Sequence, residues 1–308
     1  MSNLPLMYSS EREFSDVILT GGTGRSGTTI IGKLLSRHSQ IGLSCPAEIK
    51  MHVAGNGLLD LYLGNKVGRY KSLMVTKGLH LKRFHYRLFN DWWERDSKLG
   101  DVTGLVQGIE LNELQGLFYD LKTLWKKDQK SASRKFMRAF IDTQKLRSGK
   151  NFWIETTPIN LFRATEMAEF LPGTRFIHMV RDGRDVIASV LRENWGPKTY
   201  EEGLIWYRRR MRRILINTKS LGDEVLTLCL EDLTLSKREE SLSKLFYFLN
   251  LKSEAKLVDY FNSEVKAEKV NKGRWQNEVR NIERFNQEYF RIVEELKGID
   301  SSVPLSSR

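Results

Sequence analysis

Apolar runs alternate with stretches of helical spacing through most of the chain. Val17-Ile18-Leu19 reads as a short buried strand, and Ile30, Ile31, Leu34 and Leu35 follow on one face of a helix. The same alternation returns after residue 150. Asn151 to Ile154 is strand-like, Ile159 to Phe170 is helical, and Pro172-Gly173 makes a break. Arg175 to Val180 (RFIHMV) is a second clear strand, with a helix predicted from Asp182 to Leu191. A helix from Glu201 to Asn217, a strand from Val225 to Leu230 and a helix from Lys237 to Leu249 complete the pattern. Strands alternating with helices imply an α/β fold, a central parallel sheet flanked by helices, with ligands at the carboxyl ends of its strands.

Residues 50–150 break this rhythm. LDLYLG, FHYRLFNDWWERD, LNELQGLFYDLKTLWKKD and RKFMRAFIDTQKL all read as helical, separated by glycine-bearing breaks. The block is expected to be a helical insertion after the first strand-helix unit, capping the sheet within one domain spanning 1–308. Its aromatics (Tyr86, Phe89, Trp92, Trp93, Phe118 and Trp125) are expected mostly in the core. No internal repeat or low-complexity tract interrupts the chain.

Composition narrows the chemistry. The formal net charge is +12 over 308 residues, and between Lys50 and Lys150 there are 20 Lys and Arg against 10 Asp and Glu. Such a surplus fits an acidic cofactor or a polyanionic acceptor as well as it fits nucleic acid. Two cysteines, Cys45 and Cys229, make neither a disulfide framework nor a metal cluster, so no metal site is expected. The opening MSNLPLMYSSEREF lacks an apolar stretch long enough for a signal peptide or a membrane span, and none appears later. A reducing, cytoplasmic setting is the simplest expectation.

Two stretches carry anion-binding chemistry. After the opening strand come Gly21, Gly22, Gly24 and Gly27, then a helix. This is the strand-turn-helix arrangement in which backbone N–H groups and a helix N-terminus wrap a phosphate. The loop is similar to that of nucleotide triphosphatases, but Thr28 stands where their lysine would be and the cation is Arg25, inside the loop. A P-loop-like cradle without that lysine suits a shorter anion than ATP. In the second stretch, RFIHMV runs directly into Arg181, and Ser189 lies eight residues on, two helical turns away. A strand-end arginine can fork onto a phosphate and the serine can add a donor, whereas Arg184 and Asp185 are expected to pair around the turn.

GTGRSGTT (Gly22–Thr29) resembles the 5′-phosphosulfate loop of the sulfotransferases that use 3′-phosphoadenosine-5′-phosphosulfate (PAPS), and VRDGRDVIASVL resembles their 3′-phosphate motif. The wording is closest to the tyrosylprotein-type and bacterial branches. LTLCLEDLTLSKREESLSKLFYFLNL resembles the family's late strand-helix unit, and KGRWQNEV its cofactor-covering loop. The resemblance covers residues 15–45 and 150–280. It implies PAPS as cofactor, held by Gly24, Arg25, Ser26, Gly27, Thr28 and Thr29 at one end and by Arg181 and Ser189 at the other. Lys272, Gly273, Arg274 and Trp275 close over it, with Trp275 either stacked on the base or simply packed. The implied reaction is in-line transfer of a sulfuryl group to a hydroxyl, less readily an amine, without a metal.

The resemblance implies a glutamate base, and Glu48 in CPAEIK stands at the expected distance from the loop; burial there would raise its pKa toward a useful value. His80 and His85 are the rival bases, and His38 and His178 read as structural. Arg25 is the expected catalytic cation. Many relatives carry a lysine before Thr-Pro or Ser-Pro, but here Thr156 takes that place in Glu155-Thr156-Thr157-Pro158. Either Arg25 acts alone or a basic residue of the insertion reaches in. Glu155 is expected to orient Arg25 or substrate. Arg208 to Arg213 read as a solvated basic helix face. The acceptor class stays open between carbohydrate, lipid and peptide, with the insertion choosing it and no nucleic acid expected. A P-loop kinase or NTPase, and a non-catalytic polyanion-binding relative, are the competing functions.

Overall fold

The computed structural model describes residues 15–64, 77–96 and 100–305. The elements run β1 (Val17–Gly22), α1 (Thr28–Leu35), β2 (Ile41–Leu43), α2 (Leu58–Leu63), α3 (Lys77–Tyr86), β3 (Arg95–Asp96), β4 (Val102–Thr103), α4 (Leu111–Trp125) and α5 (Gln129–Ser148). They continue with β5 (Phe152–Glu155), α6 (Ala164–Phe170), β6 (Arg175–Val180), α7 (Gly183–Val190), α8 (Tyr200–Thr218) and β7 (Val225–Cys229). Four helices follow: α9 (Arg238–Leu249), α10 (Ala255–Glu264), α11 (Trp275–Glu278) and α12 (Ile282–Lys297).

Five strands form a parallel sheet in the order β2-β5-β1-β6-β7, and β3 and β4 make a separate antiparallel pair. The first strand therefore lies in the middle, with Leu19 opposite Glu155 on one side and Gly22 opposite Met179 on the other. Alternate side chains divide between two cores, as the period of a strand requires. Val17, Leu19, Trp153 and Phe176 face one layer, while Ile18, Ile154, Ile177 and Met179 face the other. On the second face, α1 packs through Ile31, Leu34 and Leu35, joined by Leu245 of α9 and Leu257 and Phe261 of α10. A third cluster at the far end joins Val186 and Ile187 of α7 to Tyr207, Met211 and Leu215 of α8 and Tyr289 and Val293 of α12.

Among the described residues of 50–150, many apolar side chains pack into the same core as the sheet. Leu58, Phe84, Leu114, Leu121, Phe136 and Phe140 are buried in the same cluster as Val17, Leu19 and Trp153. The longest helix of this block, α5, has an apolar stripe to hide and sequence-coded ends. Asp128 accepts a hydrogen bond from Ser131 N–H at the start of α5, and Gly149 closes it in the left-handed conformation, φ 65°. Arg138 and Lys145 of α5 then reach Asp16, just before β1. Of the aromatics expected in the core, Trp92 and Trp125 are buried and Phe89, Trp93 and Phe118 pack against it, whereas Tyr86 is 61% exposed.

The approach of α1 to the sheet is set by one glycine. A Cβ on Gly32 would stand 2.4 Å from Thr156 Cγ2, and Thr156 is fully buried. Gly32→Ala is therefore expected to destabilise the protein by about 1–3 kcal/mol. Thr156→Ser removes the clashing methyl and keeps the hydroxyl, so it should recover much of that loss. Chemical denaturation of the two single variants and the double variant measures the coupling; strict additivity would refute the contact.

Candidate functional site

The sheet brings its strand ends to one edge, and the sequence-predicted residues gather there. After β1 the chain turns through Gly24 (φ 90°), Arg25 (φ 59°) and Gly27 (φ 101°) before α1 begins. Left-handed residues in succession swing peptide N–H groups to one side, which is the geometry of an anion-binding nest. Gly27 is the N-cap of α1 and brings no side-chain cap, leaving the Thr28 and Thr29 amides for a ligand, while Ile30 N–H donates to Gly27 O. Two guanidinium groups hold the loop's carbonyls. Arg210 Nη1 donates to Thr23 O at 2.8 Å and Arg181 Nη1 to Arg25 O at 3.1 Å. Gly22 permits the close packing behind the loop, since a Cβ there would lie 2.6 Å from Met179 O. Ser26 turns inward, with its hydroxyl buried and unpartnered among the described residues; its contribution to the cradle is backbone.

The second anion signature meets the first directly. Arg25 Nε donates to Ser189 Oγ at 2.9 Å, joining the loop after β1 to the last turn of α7. Arg25 Nη1 also lies 3.8 Å from Glu193 Oε1. Arg181, at the end of β6, is only 8% exposed. Its Nη2 donates to Asn271 O, while its Nε is buried without a partner among the described residues. Burial holds its guanidinium below the ordinary arginine value, opposed by Asp185 and Glu231. A desolvated guanidinium with a donor to spare is a strong place for an anion.

The C-terminal loop approaches the same place, one turn earlier than the sequence suggests. Lys269, Val270 and Asn271 line the cleft; Lys272, Gly273, Arg274 and Trp275 do not. Gly273 N–H is tied to Asp185 Oδ1 at 2.8 Å, so Asp185 anchors this loop instead of pairing with Arg184. Arg184 forks onto Asp182 and sits 4.5 Å over the Trp275 ring. Trp275 is 5% exposed and packs on Phe285, so of its two sequence readings the packed aromatic is the one the structure holds.

Glu48 lies across the cleft from the loop, on the segment after β2. Burial pushes its carboxyl above the ordinary value and Glu155 adds to that, while Lys50, Arg95 and Arg25 pull it back. Lys50 Nζ is 3.8 Å from Glu48 Oε2, and burial lowers its own pKa. Lys50 is held at φ 59°, a conformation that costs a non-glycine residue about 1–3 kcal/mol and clusters at functional sites. Neither rival histidine lines this cleft; His85 stacks against Phe118 at 4.7 Å. His178 is fully buried, and burial pushes it down to about 4.

One cleft of about 600 Å³ is lined at once by Gly24, Arg25, Gly27, Thr28, Thr29, Glu48, Arg181 and Ser189. Lys50, Trp195, Arg210 and Lys269 line it too, and sequence reasoning had missed them. Arg210 corrects the view of its helix as a solvated basic face. Its guanidinium rests 4.4 Å over Trp206 and burial brings it down to about 10. Arg208 and Arg212 behave as expected and pair with Glu295 on the exposed side. Thr156, in the place of the relatives' lysine, points away from the cleft and donates to Ala47 O at 2.9 Å. Five cations against Glu48 and Glu193 make the lining an anion receptor. A larger groove of about 890 Å³ between α8 and α12 shares no lining residue with it. No group of side chains suited to a metal ion occurs among the described residues.

Residues 114–255 match the model described as "Sulfotransferase family". No curated protein sequence matches the chain. Among solved structures, the fold is similar to the sulfotransferase domain from the curacin biosynthetic pathway, at 16% identity and a TM-score of 0.53, covering 96% of this chain and 100% of that one. The sulfotransferase domain from the Synechococcus PCC 7002 olefin synthase matches at 15% identity and a TM-score of 0.48, over 93% and 96% of the two chains. Sulfotransferase STF9 from Mycobacterium avium matches at 12% identity and a TM-score of 0.47, over 97% and 80%. The matched segment takes in β5, β6 with Arg181, and α7 with Ser189, so the part of the chain that carries the second anion grip is similar to that family.

Proposed function

We propose that the protein transfers a sulfuryl group from PAPS to a hydroxyl of an acceptor. The observation that carries this reading is the convergence of two anion grips and one carboxylate on a single cleft: the Gly24–Thr29 loop, Arg181 with Ser189, and Glu48. A nucleotide with phosphate at both 5′ and 3′ positions needs two such grips. The residues fit it, because the loop offers the Thr28 and Thr29 amides and Arg181 a buried Nε without a partner among the described residues. Bound there, PAPS supplies the sulfuryl group.

The chain's own part is positioning and electrostatics, as in phosphoryl transfer. The loop amides and Arg25 hold the 5′ end, and Arg181 holds the 3′ end with Ser189. Glu48 takes the proton that the acceptor hydroxyl loses when it is sulfated. Its raised pKa makes it a better base than a solvated glutamate. Arg25 offsets the charge that develops on the leaving nucleotide. Lys50 supplies a cation beside Glu48 that Thr156 does not.

Arg181→Ala is expected to weaken 3′-phosphoadenosine-5′-phosphate binding by ~2–3 kcal/mol, the scale of a charge-assisted hydrogen-bond pair, measured by calorimetry. Glu48→Gln should leave that affinity unchanged and lower turnover by roughly 100-fold or more; normal turnover would remove Glu48 from the chemistry. The pH profile has a definite sign. Activity requires ionised Glu48, so turnover should fall as pH drops through a midpoint above the ordinary glutamate value of about 4.3. Glu48→Gln should abolish that limb.

A further inference from the structure

The sequence suggests that Glu155 orients Arg25 or substrate, but its carboxylate faces neither. It is fully buried at the end of β5. Oε1 accepts from Ile49 N–H at 3.0 Å and from the Thr157 hydroxyl. Oε2 accepts from Thr157 N–H at 3.0 Å and from Asn160 Nδ2 at 2.7 Å, with His52 Nε2 at 3.4 Å. Asn160 Nδ2 also donates to Thr20 O in β1, so its Oδ1 is left to accept from His52 Nε2 at 2.6 Å. This closed cluster ties three pieces of chain together: β1, the end of β5, and residues 49–52.

Ile49 is the residue after Glu48, and Glu48 has no element of regular structure to hold it. It is held by the bond from Ile49 N–H to Glu155 on one side, by Thr156 N–H and hydroxyl donating to Ala47 O on the other, and by Arg95 Nη2 donating to Glu48 O at 3.1 Å. We propose that Glu155 is a positioning residue, which holds the Glu48 segment against the sheet and places a second negative charge behind the Glu48 carboxylate. This rests on the reading of Glu48 as the base. The groups acting on Glu48 are Lys50 on its own segment, Arg95 from β3, Arg25 from the loop and Glu155 from β5. Glu155 is the one anion among them. It opposes the three cations and keeps Glu48 a stronger proton acceptor. Glu155 itself does not line the cleft, so it acts through the residues it holds, Glu48 above all.

The test follows the Glu48 carboxyl carbon by NMR titration in ligand-free protein, assigned with Glu48→Gln, alongside the pH dependence of turnover. In Glu155→Gln, the Glu48 midpoint and the acid limb of turnover should both move to lower pH. Turnover should fall by about tenfold or more, as misplacing a reacting group does, while bisphosphate affinity stays the same. Glu155→Asp keeps the charge but shortens the reach to Ile49, so the midpoint should return toward wild type with turnover still low. A Glu48 midpoint unchanged in Glu155→Gln, or a loss confined to bisphosphate affinity, would overturn the proposal. If Glu155→Gln does not fold, Thr157→Val removes one donor and leaves the charge. It should lower turnover without moving the midpoint, and unchanged turnover would count against the proposal. The NMR midpoint needs no sulfuryl transfer. A wild-type protein that transfers none would sink the function proposed above, while the shift in Glu155→Gln would still establish the coupling.

Discussion

The loop after β1 depends on two arginines that come to it from distant parts of the chain. Arg210 and Arg181 each donate to a loop carbonyl, at Thr23 and Arg25. A carbonyl held by a guanidinium cannot turn back toward the anion site, so the neighbouring amides are left facing the ligand's side. Both arginines are largely desolvated, which makes their remaining N–H groups strong donors and costly to leave bare. An anion resolves that cost. The Arg210 contact brings α8 to the loop, and Arg181 also holds the C-terminal segment through Asn271 O, which Asp185 of α7 ties again at Gly273 N–H. The cleft is thus assembled by cations that hold backbone first and ligand second.

The opposite wall uses the reverse chemistry. There a buried carboxylate, Glu155, gathers backbone and side-chain donors from residues 49–52 and 157–160 and presents nothing to solvent. Removing one member of such a cluster leaves its partners unsatisfied at about 1–3 kcal/mol each, so it gives the wall one geometry. Glu48 and Lys50 ride on this wall. Their half-buried charges are tuned by what lies behind them as much as by each other.

Much of this was legible in the chain. The strands at Val17, Arg175 and Val225 declare themselves because buried parallel strands are apolar runs, and the helices after them show a stripe one face wide. The loop and Arg181 could be read because glycine clusters and strand-end cations serve few other purposes. β2 escaped, since three residues are too few to show a period. The block 50–150 was read as helical with its aromatics mostly in the core, but an amphipathic stripe does not say which surface it covers. Arg210 was hidden in a run of arginines. Only the register of α8 separates the one that turns inward, over Trp206 and Phe162, from those that pair with Glu295. Lys50 and the His52–Asn160–Glu155 cluster join residues about a hundred positions apart, and no local pattern encodes that meeting.

The account's central claim is that one nucleotide is gripped at both ends. Calorimetric comparison of 3′-phosphoadenosine-5′-phosphate with adenosine 5′-phosphate and adenosine 3′-phosphate, without metal, tests it most directly. The bisphosphate is expected to bind far more tightly than either monophosphate, each of which fills one grip alone. Equal affinities for all three, or tighter binding of magnesium ATP than of the bisphosphate, would contradict it.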